Sequence, residues 1–95
     1  METVTVRFLC NPPAGFRGKI HFMFAVNDET VAEGFAGDVL SAELPKGRTE
    51  IQVLVRNEGL NSMSGSTPVL LEGDVSLKIK YALFGKSASL VLNKG

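Results

Sequence analysis

The sequence predicts an all-β domain on three grounds. Short runs alternate apolar and polar residues, turn-forming residues separate the runs, and no stretch of helical periodicity is long enough to form a substantial helix. About eight strands result, and a single open sheet of that many would leave a broad apolar face uncovered. Two antiparallel sheets packed face to face, in an Ig-like or jelly-roll-like sandwich, would bury that face, with a small barrel as the alternative. Parallel βαβ architecture is excluded because nothing can serve as crossover helices.

The first strand is "TVTVRFLC", in which Val4, Val6, Phe8 and Cys10 share one face. Pro12 and Pro13 then end the ladder, and Gly15 and Gly18 permit a turn. The second strand runs from about Lys19 to Val26, with Ile20, Phe22, Phe24 and Val26 inward. Its five consecutive apolar residues after His21 also place Met23 and Ala25 on the outer face, which something else must cover.

Asn27–Glu29 reads as a hairpin turn into "TVAEGF", and Gly34 and Gly37 suggest a bulge or bend before the next strand. "DVLSAEL" and "TEIQVLVR" flank a Pro45–Arg48 turn and read as a paired unit. Leu40, Ala42 and Leu44 face inward on one side, and Ile51, Val53 and Val55 on the other. A short helix over Asp38–Leu44 is the rival there, with Asp38 as cap and Pro45 as stop. Asn57–Pro68 reads as a long polar loop, either a crossing or a binding loop. "VLLEGD" is a short strand, and "VSLKIKYALF" is the longest alternating run. "GKS" then turns the chain into a last strand, "ASLVLN".

Ninety-five residues fit a single domain spanning 1–95. A chain of this size can fold around one core without disulfide or metal, and the lone Cys10 forms no internal disulfide. Ten basic and ten acidic side chains give no net charge, which disfavours nucleic acid as a partner. No apolar run approaches the length of about 20 residues that spans a bilayer, so membrane insertion is not expected. The opening "METVTVRFLC" reads as a strand rather than an export signal. The cytosol is therefore the default compartment if Met1 is the native start.

No motif for catalysis or for a cofactor stands out. His21 lacks a serine or carboxylate at any catalytic spacing, and one histidine with one cysteine cannot build a transition-metal site. Cys10 shares parity with the core, so a buried thiol is expected. The acidic pairs Asp28–Glu29 and Glu72–Asp74 lie in turns without the oxygen density of a calcium loop. "AGFRGK" lacks the spacing and following helix of a phosphate loop. Phe35 is left between a core plug and a binding aromatic.

The turn-punctuated run Thr30–Val53 resembles small Ig-like and peptidase-associated β modules in pattern alone, without a diagnostic motif. The expected function is a non-enzymatic structural or protein-interaction module that self-associates, as a dimer or other homo-oligomer, through an apolar sheet face or edge. The interface candidates are Leu9, His21, Met23, Ala25, Leu54, Leu90 and Leu92, with Leu70 as a further apolar outer residue. The alternative is a module binding carbohydrate or another small ligand, with Phe16, Arg17, Leu60 and Met63 as candidates.

Overall fold

The computed structural model of the chain describes residues 2–13, 15, 18–58, 62–82 and 87–93. Eight strands follow one another along the chain: β1 (Thr3–Leu9), β2 (Ile20–Val26), β3 (Glu29–Phe35), β4 (Val39–Pro45), β5 (Gly47–Asn57), β6 (Ser62–Leu71), β7 (Val75–Ala82) and β8 (Ser87–Leu92). They form one sheet in the order β3-β2-β5-β6-β8-β7-β1-β4, rolled into a nearly closed barrel. The all-β class and the barrel alternative therefore hold, and the two-sheet sandwich does not. Nor is the sheet wholly antiparallel, because β1 pairs with β7, and β6 with β8, in parallel.

The reason for one sheet rather than two lies at the β6–β8 seam. Ser64 pairs with Ser87 there, and the Leu90 N–H donates to Thr67 Oγ1 at 2.9 Å. A Cβ on Gly65 would overlap the carbonyl oxygen of Ala88, so only glycine lets the two backbones approach this closely.

At the other end of the strand order, β3 and β4 are joined by a corner at Ala36–Asp38. The Cys10 N–H donates to the Asp38 carbonyl at 3.0 Å, the Gly37 N–H to the Cys10 carbonyl at 2.9 Å, and the Ala36 N–H to the Ile20 carbonyl at 3.2 Å. The Asp38 carboxylate accepts from the Phe35 N–H at 2.8 Å. Gly37 takes a φ of 91° in this corner, fulfilling the expected bend. These bonds tie both outer strands to β1 and β2.

The inward parities assigned to β1, β2, β4 and β5 agree with the burial. Val6, Phe8, Phe22, Phe24, Ile51 and Val55 are fully enclosed, and among the described residues no polar or charged one is buried. The Phe8 and Phe24 rings stack across the interior with centroids 4.2 Å apart, an arrangement favoured beyond simple area burial. The β2–β3 hairpin also forms, with Asn27 and Asp28 both at positive φ as a tight hairpin turn requires. Its bulge falls at Val31, where the register shifts between Phe24 and Ala25.

Three local expectations are corrected. The Pro45–Arg48 segment does not close a hairpin, because β4 pairs with β1 while β5 pairs with β2 and β6. The rival helix over Asp38–Leu44 is also absent, and most of that segment forms β4. Most of the supposed loop Asn57–Pro68 belongs to β6, which pairs with β5 from Gly47↔Leu71 to Arg56↔Ser62.

The chain leaves β1 through a side-chain clamp. Asn11 Nδ2 donates to the Ile79 carbonyl at 2.7 Å, and its Oδ1 accepts from the Ile79 N–H at 2.9 Å. One amide thereby imitates a neighbouring strand just before Pro12 and Pro13, which have no N–H to offer. The Tyr81 hydroxyl adds a bond to the Asn11 carbonyl at 2.6 Å.

Gly65→Ala is expected to destabilise the fold by about 2 kcal/mol or more, because backbone rather than a flexible side chain occupies the space. Gly73→Ala, where a Cβ meets nothing, serves as control. Urea unfolding of the two variants checks this, and equal midpoints would rule out the close approach as a constraint.

Candidate functional site

The outer face of β2, β5 and β6 carries the most distinctive surface. Alternation that sends Phe22 and Phe24 inward leaves His21, Met23 and Ala25 outward and half-buried. The ladder places them in rows across the strands. Phe35, His21, Arg56 and Ser62 form one row, and Glu33, Met23, Leu54 and Ser64 the next. Thr30, Ala25, Gln52 and Ser66 form the third.

Because Ala25, Ser64 and Ser66 are small beside Met23 and Leu54, the face dips into an open concavity of about 460 Å³. Three of the expected interface residues, Met23, Ala25 and Leu54, line it together. His21 belongs to the adjoining row, in a hollow of about 150 Å³ shared with Lys19, Phe35, Arg56, Asn57 and Glu58. His21 Nε2 lies 3.7 Å from Glu33 Oε2, an ion pair whenever the imidazole is protonated. Lys19 Nζ sits 5.0 Å from the centre of the Phe35 ring, within cation–π range.

The other candidates scatter. Leu9 lies in the other half of the sheet, opposite Val39 of β4. Leu90 is not an outer residue: it is 5% exposed and pairs with Ile79, so Ala88 and Leu90 face the core. Leu92 shares that parity but is 53% exposed, in register with Leu77 at the end of the strand. Leu70 is exposed on β6, two residues beyond Pro68 and away from the concavity. Met63 is a core residue, opposite Val55, rather than a ligand contact. Phe16, Arg17 and Leu60 lie outside the described residues.

Gln52, Ser64 and Ser66 are not among the candidates the sequence offers for this surface, whereas Phe35, left open there between plug and binding aromatic, borders it. Phe35 is 44% exposed and does not plug the core. Gln52 was accessible to parity, two residues from Leu54 on an alternating strand. The serines were hidden because a Ser- and Gly-rich run reads as loop.

The ionisable core groups are not part of this face. Burial, and secondarily the charge of Asp38, push the Cys10 thiol up to about 11, which keeps it protonated and unreactive at neutral pH. Burial also raises the Tyr81 phenol, with a further push from Cys10. Among the described residues no three His, Cys, Asp or Glu side chains converge to hold a metal ion. No helix among them is long and apolar enough to cross a membrane.

No family model and no curated protein sequence matches the chain. A solved structure similar to it is the NMR structure of a protein from Eubacterium rectale, with a TM-score of 0.60 and 16% identity. The match covers 99% of this chain and 91% of that one, and at this identity it speaks for the fold alone.

The raised thiol pKa carries a sign for stability. The native state retains its Cys10 proton after the unfolded chain has lost it, so the stabilisation is intact below the thiol's ordinary value of 9.0 and falls as pH rises towards about 11. Tyr81 adds a loss of the same sign at higher pH. The melting temperature is expected to decline above about pH 9, and the decline to be shallower in Cys10→Ala. Thermal melts across that range check it, and parallel slopes in the two proteins would contradict it.

Proposed function

We propose that the chain is a non-enzymatic structural and protein-interaction module that self-associates through the outer face of β2, β5 and β6. One observation carries this reading. The inner face already provides a complete apolar core, yet Met23, Ala25 and Leu54 gather around an open concavity on the outside. Apolar surface drawn together on a rigid sheet gains by being covered, at roughly 25 cal/mol per Å² removed from water.

The size of the face sets the strength. Three strands about 4.8 Å apart, along some seven residues at about 3.4 Å each, give a footprint of about 340 Å². That falls in the small class of interfaces, where association is weak and reversible. A second reading, binding of a carbohydrate or similar small polar ligand, is supported by Gln52, Ser64 and Ser66 at the concavity. Among the described residues no aromatic ring lines that concavity, since Phe35 lines the neighbouring hollow.

Sedimentation velocity between about 10 µM and about 1 mM is expected to show concentration-dependent association. Met23→Lys or Leu54→Lys is expected to weaken it at least about tenfold, with circular dichroism and melting temperature unchanged. A native protein that stays monomeric throughout would overturn the self-association reading. Chemical-shift changes at Gln52, Ser64 and Ser66 on titration with a glycan panel would favour the second.

A further inference from the structure

Along β5 the proposed face carries its charges in a self-complementary order. The outward residues of this strand and its exit are Arg48, Glu50, Gln52, Leu54, Arg56 and Glu58. Their signs run positive, negative, neutral, neutral, positive, negative. Read in the opposite direction, each charge becomes its complement. Arg48 and Glu58 stand five residues either side of Val53, and Glu50 and Arg56 three residues either side.

Resting on the self-association reading, we propose that the occupant of this face is a second copy of the chain, related by a two-fold axis running across the strands at the Phe24–Val53 pair. The axis turns the second β5 antiparallel to the first. Arg56 then meets the partner's Glu50, Arg48 approaches the partner's Glu58, and Leu54 lies over the partner's Gln52. Met23 lies over the partner's Ala25, so the largest side chain of the face enters the dip left by a small one. The other possible two-fold, along the strands, puts Arg56 on the partner's Arg56 and Glu50 on the partner's Glu50. Like charges juxtaposed across an interface are strongly unfavourable, which removes that alternative.

The charges are available for this pairing. Arg48, Glu50, Arg56 and Glu58 are all exposed. Among the described residues Arg48 and Arg56 make no ion pair, and Glu50 holds only the Ser66 hydroxyl, at 2.7 Å. Twisted sheets pack with strands about 30° from alignment, so pairs nearer the axis stay closer than distal ones. Glu50 and Arg56, each about 10 Å from the axis, therefore fix the orientation, while Arg48 and Glu58 steer approach from farther out. Exposed pairs of this kind add little affinity, so they select the arrangement while the apolar centre holds it.

The test is a charge-reversal cycle followed by sedimentation velocity at low ionic strength. Arg56→Glu and Glu50→Arg alone are each expected to weaken association at least about tenfold, since symmetry repeats every clash twice. Combining the two reversals is expected to restore association to within about threefold of the native protein, and added salt to weaken the native dimer. Native association that neither single reversal changes would overturn this orientation while leaving self-association intact. Absence of native association at about 1 mM would instead overturn the reading beneath it. Circular dichroism of each variant distinguishes loss of pairing from loss of fold.

Discussion

The architecture depends on the approach of β8 to β6, and that approach depends on residue 65 having no side chain. If the two strands stood a Cβ farther apart, the halves β3-β2-β5-β6 and β8-β7-β1-β4 would become separate sheets, and the seam would become two open edges. With glycine at 65, Ser64 reaches Ser87 and Thr67 accepts from the Leu90 amide, so the edges consume each other. The Phe8–Phe24 stack then joins the two halves from within, and truncating either ring would cost about 3–5 kcal/mol. The serines that flank Gly65 also give the outer concavity its depth, so the seam and the candidate surface share one short segment.

Much of the domain was legible in the sequence because burial parity is a local property. Val4, Val6 and Phe8 declare their face by simple alternation, as do Ile51, Val53 and Val55. Pairing is not local, and there the reading failed. Nothing near Pro45 reveals that β4 turns away from β5 to lie against β1, about forty residues earlier. Nothing in "SMSGSTP" looks like a strand, since its β-propensity is poor and only the long ladder to β5 holds it extended. Sandwich and barrel share one burial pattern, and the close approach that separates them rests on one glycine inside that unpromising run.

The candidate surface divides in the same way. Met23, Ala25 and Leu54 could be assigned outward from parity, and the ladder then brought them together. Leu90 went wrong although a signal existed: Ser87 and Ser89 mark the wet side of β8, which sends Ala88 and Leu90 to the core. The complementary order of charges along β5 gains its meaning only from the extended strand that sets those residues on one face. A string of alternating signs in a loop would carry no such geometry.

The parallel pairing of β1 with β7 has a kinetic consequence. Val6 waits for Val75, and the clamp on Ile79 belongs to Asn11, so β1, made before the other seven strands, is among the last to find both neighbours. Closing so long a loop makes folding slow, in the roughly millisecond-to-second range typical of such topologies. Until β7 has left the ribosome the nascent chain carries its greasiest strand, β2, beside a β1 that lacks one of its partners. The barrel closes late, and the interval before it closes is when this chain most needs protection from aggregation.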